Sequence, residues 1–398
     1  MRRLLFRPDN FFATLFIFIS VALLGLMIIN IQPLDLAKNA FKDFDYTDIL
    51  YSKIRSRQNL LDTNIVLVSI DTLQRVGIAQ ELEIIDKFKP RVVGLDVIFE
   101  QRKEPVSDSL LKAALNKTPG LVMAVYAEEN EKGVIQKFKV TNPYFGKYNS
   151  GHVNLSGGNP QTTTIRTFTP LLEMNGKEIR SFSAEILRLY DSSSSHKLLR
   201  YKDKPVIINY TGNYHSFICF RSGDVLKNGA NLARIKDKIV LVGNFYPDSL
   251  SLSLEDKFFT PLNNEIGGRS WPDMHGIVIH ANVISMALKD NFIYTIPEWV
   301  GILIAFLICY FNIAFLLYFY VERHKWFHPF AEVVQLVTLV LILYVIFLIY
   351  QHWNIRYDSA PLIIILLFSL YLLYFYDGLV KILNKWFGIK SYLLTKHD

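Results

Sequence analysis

The apolar positions of this chain gather into four long runs, one near the start and three near the end. They cover residues 11–31, 297–321, 331–350 and 359–380. Each is about 20 residues or longer, and a helix of that length crosses a hydrocarbon layer ~30 Å thick. Residues 32–296, between the first and second runs, read as ordinary globular sequence. The order predicts one transmembrane helix, a large domain, and three more transmembrane helices.

Within the large domain the pattern changes period repeatedly. Ile65 to Ile70 is a β-branched run closed by Asp71, and Val92 to Phe99 is a second buried run containing Asp96. Between them Gln80 to Phe88 has helical spacing, with Leu82, Ile85 and Phe88 on one face. Ser107 to Leu115 follows as an amphipathic helix capped by Ser107, and Leu121 to Val125 as a third apolar run. Strand and helix alternating at this spacing predict βαβ units and a parallel sheet covered on both faces, with right-handed crossovers. Further on, Gly151 to Asn154 and Ile165 to Met174 read as short strands, the latter before an Asn175-Gly176 turn. Phe182 to Tyr190 reads as a helix and Asp191 to His196 as a polar loop. Val206 to Tyr210 and Lys238 to Val242 read as buried strands. Met274 to Lys289 closes the domain as a helix with Ile277, Ala281, Ile284 and Leu288 along one stripe. The expected fold is a single α/β domain with a mostly parallel or mixed sheet, plus the 1 + 3 transmembrane helices.

Charge sets the expected orientation. Arg2, Arg3 and Arg7 precede the first run against Asp9, and Arg323 and Lys325 stand against Glu322 between the second and third. Lys381, Lys385, Lys390 and Lys396 follow the fourth, whereas Gln351 to Asp358 holds only Arg356. The positive-inside rule then makes residues 1–10 and 381–398 cytoplasmic and the large domain extracytoplasmic. The first run is too long for the core of a signal peptide, and no small-x-small cleavage site follows Met27, so an uncleaved anchor is expected. The net charge of +7 does not point to nucleic acid. The cytoplasmic ends supply several of the excess lysines and arginines, and the large domain interleaves both signs, as in Asp86, Lys87, Lys89 and Arg91. Of two cysteines, Cys309 lies in a predicted span and Cys219 in the large domain, which excludes an intradomain disulfide.

Several of these segments, in this order, resemble the second class of CHASE domain, a sensory module found outside bacterial membranes. The resemblance rests on Ile70-Asp71, on Val93-Gly94-Leu95-Asp96-Val97-Ile98-Phe99 and on Gly151-His152-Val153-Asn154. It continues through Ile208-Asn209-Tyr210-Thr211-Gly212, Lys238-Ile239-Val240-Leu241-Val242-Gly243 and Asp256-Lys257-Phe258-Phe259-Thr260-Pro261, and ends on His275-Gly276-Ile277-Val278-Ile279-His280-Ala281-Asn282. It implies an extracytoplasmic sensor in a bacterial inner membrane whose terminal spans relay a state inward. The sequence departs from the family in having Thr72 where a second acid usually follows the first strand. Family members are best known fused to a cytoplasmic output domain, and here about 18 residues follow position 380, against the ~50 of a small domain. The output is therefore expected on partner proteins of the membrane or envelope. The alternative is a structural or scaffold subunit of an envelope complex. A homo-oligomer without other subunits would favour the sensor.

Candidate site residues follow from strand ends and helix faces. Asp71 and Asp96 close two strands expected to be parallel neighbours, where open α/β sheets bind ligands; each carboxylate otherwise caps the loop that follows it. Asn209, His280 and Asn282 are candidates for the same cleft, with His280 equally readable as a hydrogen-bonded packing residue. His275 and His280 are turned ~500° apart on a helix, so they do not form a metal pair. Neither a cofactor nor a metal is implied. No phosphate loop, nucleophile elbow or zinc signature occurs, so no enzyme activity is expected. Trp271, in the Asn263 to Pro272 insert, is a candidate partner contact, as are Asn312, Gln335 and Trp386. Trp299, Trp326 and Trp353 read as interfacial anchors, and Lys381 to Leu394 as an amphipathic stretch for the inner leaflet or a partner. Glu332 and Asp377 are expected to be hydrated near the cytoplasmic interface.

Overall fold

The computed structural model of the chain describes residues 5–29, 61–130, 134–155, 164–174, 176–227, 231–246, 256–263, 271–322 and 327–395. The Ser156 to Pro160 turn and most of the Asn263 to Pro272 insert lie outside the described residues. In chain order the main elements begin with helix α1 (Pro8–Ile29), strand β1 (Asp62–Ser69), α2 (Arg75–Lys87), β2 (Val92–Leu95) and α3 (Pro105–Lys117). They continue with β3 (Leu121–Glu129), β4 (Ile135–Lys139), β5 (Asn149–His152), α4 (Phe182–Tyr190), α5 (Ser192–Leu199), β6 (Phe217–Phe220) and α6 (Ser222–Leu226). The last are β7 (Ile239–Gly243), α7 (Gly276–Leu288), α8 (Glu298–Glu322), α9 (Phe327–Trp353) and α10 (Ala360–Phe387). Two compact units form: Asp43–Phe292, and Met1–Lys42 with Ile293–Asp398.

The first unit is built on a sheet in which β6, β1, β7, β2, β3 and β5 lie side by side and parallel. β4 pairs antiparallel with the far half of β3, from Tyr126 to Glu129, so the sheet is mixed. β1 and β2 are not neighbours, as the sequence had suggested; β7 runs between them, with Val66 opposite Val240 and Val240 opposite Val93. The physical reason is burial. Every residue of β7 is apolar or glycine and none reaches solvent, so both its edges and both its faces need cover.

Because side chains alternate along a strand, Val66, Val68, Val93, Leu95, Val240 and Val242 share one face. There they pack with Ile78, Leu82 and Ile85 of α2 and Leu111 and Leu115 of α3. The opposite face carries α7 and α4. Residues 276–287 of α7 are all buried, so it is a central helix with no solvent stripe.

Local differences from the sequence reading have local causes. α2 starts at Arg75 rather than Gln80. α3 starts at Pro105, whose fixed φ and missing N–H suit the first helical position, so Ser107 is not the cap; its hydroxyl donates to Glu104 O at 3.0 Å. The expected loop after Tyr190 is α5, because Asp191 accepts the Ser193 N–H (3.1 Å) and the Ser194 hydroxyl (2.6 Å) and nucleates a turn. The run from Val206 shrinks to Val206–Ile207, which pairs with Thr167–Phe168 outside the main sheet. Leu171–Met174 and Lys177–Arg180 form a hairpin, with Gly176 at φ 74° in its turn. β6 was not anticipated.

Among the described glycines of this unit, Gly151 makes the closest approach to another backbone. A Cβ there would lie 2.6 Å from Phe182 Cα and 2.7 Å from Phe182 N, backbone atoms at the start of α4 that cannot rotate away. Gly151→Ala is expected to destabilise the domain by about 1–3 kcal/mol, read as a lowered midpoint in thermal unfolding of the detergent-solubilised chain.

The second unit is a helix bundle. Pro8–Leu26, Glu298–Glu322, Pro329–Trp353 and Ala360–Phe387 are long and apolar enough to cross a membrane. α1, α8 and α10 pack on one another around Ala13, Ile17, Cys309, Ile313, Leu317 and Leu373, while α9 lies against α10. α9 leaves Val333, Leu336, Val337, Val340 and Leu341 uncovered, an apolar face suited to lipid. Gln335 ties α9 to α10 through the Ser369 hydroxyl (3.1 Å) and Leu366 O, and so serves this bundle's own packing. Asn312 is also buried, and its side-chain oxygen has no partner among the described residues.

Asp377 departs from the expected hydrated position. It is buried, accepting from the Tyr320 hydroxyl (2.9 Å) and from Lys381 Nζ (2.8 Å), a lysine one turn on that neutralises it. α10 runs seven residues past position 380 and ends at Gly388, φ 66°. Trp386 and Phe387 stay exposed on this extension. The two chain ends then meet: Arg7 covers the Tyr392 ring at 3.3 Å, and Asp9 accepts from the Ser391 hydroxyl and the Tyr392 N–H.

Candidate functional site

β1, β7 and β2 end level with one another: Ser69 lies opposite Gly243, and Leu95 opposite Val242. Asp71 and Asp96 therefore do share the carboxyl edge of a parallel sheet. They flank the end of β7, two strand spacings or roughly 9–10 Å apart, too far to grip one small ion together. Each belongs to its own cluster.

Asp71 sits at φ 43°, at the sharp turn leaving β1. Its carboxylate accepts from the Ser69 hydroxyl (2.8 Å) and from the Ser222 hydroxyl at the start of α6 (2.5 Å). Ser69 Oγ also stands 2.5 Å from Phe245 O, beyond the end of β7. The negative charge of Asp71 acts on Glu81 of α2, which is wholly buried and whose two carboxyl oxygens have no hydrogen-bond partner among the described residues. Burial first, and Asp71 second, push the Glu81 carboxyl up to about 8.

Asp96 follows β2 and is anchored by its N–H donating to Val242 O (2.9 Å). The absence of a side chain at Gly243 makes room for it: a Cβ there would lie 3.2 Å from Asp96 Cβ. Burial raises the Asp96 carboxyl to about 6. Its charge acts on Asp256, whose carboxyl rises through desolvation and through the charge of Asp96. Asp256 O accepts the Gly276 N–H (3.1 Å) at the start of α7. His275, just before α7, accepts the Tyr246 N–H at Nε2 (3.3 Å), and burial holds it neutral, near 4.

The other sequence candidates lie elsewhere and hold the fold. Asn209 donates to Asn291 O (2.9 Å). Asn282 accepts the N–H groups of Thr211 (2.7 Å) and Gly212 (3.2 Å) and donates to Gly212 O and Val278 O, both 2.9 Å. His280 packs edge-on against Phe182 with the Ser183 hydroxyl 3.3 Å from Nδ1, and burial keeps it neutral, near 4. Cys219 is a small packed thiol pushed up to about 12 by burial. Trp271 is 66% exposed, its carbonyl held by Asn263.

A cleft of about 290 Å³ also opens between β4, β5 and the 171–180 hairpin, floored by Val125, Phe138 and Leu171. None of the sequence candidates lines it. Its buried acid, Glu185, is already saturated by Arg188 (2.7 Å) and Arg180 (3.4 Å), which leaves the sheet edge as the stronger site.

Sequence reasoning found Asp71 and Asp96 but missed Ser69, Ser222, Glu81 and Asp256. Asp256 had a signal, since it opens the Asp256 to Pro261 block. Glu81 had none, standing beside Gln80 and Glu83 where a solvated face is expected.

The chain thus combines a mixed α/β sheet, with carboxylates at its strand ends, and four helices of membrane-spanning length. The family model for the CHASE2 domain matches residues 15–316, and the chain belongs to that family of CHASE-type extracytoplasmic sensory domains. No curated protein and no solved structure matches the chain.

Proposed function

We propose that this chain is a non-catalytic inner-membrane sensor whose α/β domain faces the extracytoplasmic side, with both termini cytoplasmic. The carboxyl edge of β1, β7 and β2 receives the signal, and the helix bundle hands the change to a partner protein. The observation that carries this reading is the edge itself: Asp71 and Asp96 stand half-buried at the ends of β1 and β2, where parallel sheets take ligands, and the charge of Asp96 acts on Asp256. Membership in a sensory-domain family supports it. The basic residues flanking the candidate spans support the orientation. The exposed Trp386 and Phe387 beside Lys381 and Lys385 offer a partner or the inner leaflet an amphipathic helix end.

One observation favours the scaffold reading: Trp271 presents a large apolar surface at the edge of the insert.

Orientation is tested by labelling spheroplasts with a membrane-impermeant maleimide, using Trp271→Cys and Trp386→Cys in a background lacking Cys219 and Cys309. Trp271→Cys is expected to label in intact spheroplasts, and Trp386→Cys only after lysis. The reverse pattern contradicts the proposed topology.

A further inference from the structure

We propose that the cleft between β4, β5 and the 171–180 hairpin binds one small organic carboxylate, its apolar body on the cleft floor and its anionic head on Arg180. This goes beyond the sensor reading and stands without it, because binding is read on the chain alone.

The cleft exists because two strand edges diverge. His152, at the end of β5, forms an isolated parallel bridge with Ser181, just after the hairpin. Before that bridge β5 pairs with β3, and Lys177–Arg180 pairs with Leu171–Met174, so the two strands part. The space between them, about 290 Å³, is near the lower end for ligand pockets and suits a small molecule. Val125, Phe138 and Leu171 give it an apolar floor, and Val140, also on the wall, is 46% exposed. That surface gains from being covered by an apolar body.

Charge selects the head group. Glu185 is buried, and Arg188, which is not part of the wall, holds both its carboxylate oxygens with N–H donors at 2.7–3.0 Å. Arg188 is itself fixed by donating to Asn149 Oδ1 (3.0 Å), so this pair is complete and neutral. Arg180 is then surplus. Among the described residues its guanidinium makes one hydrogen bond, to Glu185 Oε2 at 3.4 Å, out of five N–H donors, and it is half exposed. Lys177, also on the wall, has no side-chain partner among the described residues. Against these two cations the wall sets Glu178 alone, which is exposed and lies opposite Glu173 in the hairpin. One positive charge is left over above an apolar floor, complementary to a monoanion with an apolar body. A carboxylate fits the guanidinium fork with two parallel bonds, and the Ser150 hydroxyl on the same wall is a further donor. A cationic ligand would meet Arg180, and a purely apolar one would leave its N–H groups unanswered.

The test is fluorine NMR of 4-fluorophenylacetate with the full chain in nanodiscs, using empty nanodiscs as the blank. Saturable line broadening beyond the blank is expected, with a Kd of about 1 mM for a ligand of roughly ten heavy atoms. Arg180→Gln weakens binding about tenfold or more. Ser150→Phe, which fills the cleft, abolishes it and is the variant to read should Arg180→Gln fold poorly. Lys204→Gln, which removes a positive charge outside the cleft, leaves binding intact. 4-Fluorobenzyl alcohol, a similar body without the charge, binds about tenfold more weakly or worse. No broadening beyond the blank overturns the proposal. Binding that survives either variant in a folded chain overturns it by placing the ligand elsewhere, and equal binding of the alcohol overturns it by removing the role of charge.

Discussion

Glu81→Gln is expected to make the α/β domain more stable at alkaline pH and to flatten its pH profile in chelator-containing buffer. The Glu81 carboxyl titrates near 8 in the folded chain, against an ordinary 4.5. Between those values the folded chain keeps a proton that the unfolded chain has released, so each rise in pH favours unfolding. The stability that Glu81 allows is therefore fully present below about pH 4.5, falls as pH climbs to about 8, and is level beyond. The span corresponds to roughly 3–5 kcal/mol, lost by the wild type and kept by the glutamine variant, which has no proton to release. Denaturant titrations at pH 5, 7 and 8.5 read it directly. Parallel profiles for the two proteins would show that Glu81 reaches solvent or a donor in solution.

Asn282→Ala is expected to cost about 3–5 kcal/mol and to leave little folded α/β domain. The side chain lies in α7 with no exposure and holds the Thr211–Gly212 bend by two accepted and one donated bond. Its removal leaves two N–H groups and a carbonyl of a half-buried bend without their partner, at about 1–3 kcal/mol each. Aspartate does not rescue it, because a carboxylate meets the Gly212 and Val278 carbonyls with no hydrogen to give. Expression level and thermal midpoint of Asn282→Ala and Asn282→Asp are the readout. An Asn282→Ala chain that is fully stable but fails to respond to signal would restore Asn282 to the ligand site.

Much of the architecture was legible in the chain. Long apolar runs have one physical use at that length, and continuous β-branched runs such as Ile239 to Val242 need cover on both faces. The order of strands was not legible, because nothing local to β1, β2 or β7 says which two are neighbours; that is decided by which strand has the most apolar surface to enclose. Short elements were misread where one residue decides the outcome. Asp191 turned an apparent loop into α5, and Pro105 moved the start of α3. Of the site, Asp71 and Asp96 were found by their place at strand ends. Glu81 was hidden because a lone acid in a helix reads as solvated, and only the sheet against which α2 packs buries it. His280 and Asn282 lie on the buried α7 and Asn209 is buried beyond a strand that stops at Ile207, and their hydrogen bonds are spent on the backbone and ring packing that hold the fold.

The account turns on whether the carboxyl edge governs what the chain does to another protein. The most direct measurement is purification from native membranes in mild detergent of the wild type and of the double variant Asp96→Asn, Asp256→Asn, with native mass and identification of every co-purifying protein. The account predicts a partner whose recovered amount changes between the two, while the yield and fold of the chain itself do not. A stoichiometric set of envelope proteins, recovered equally with both, would contradict a sensor and establish a scaffold.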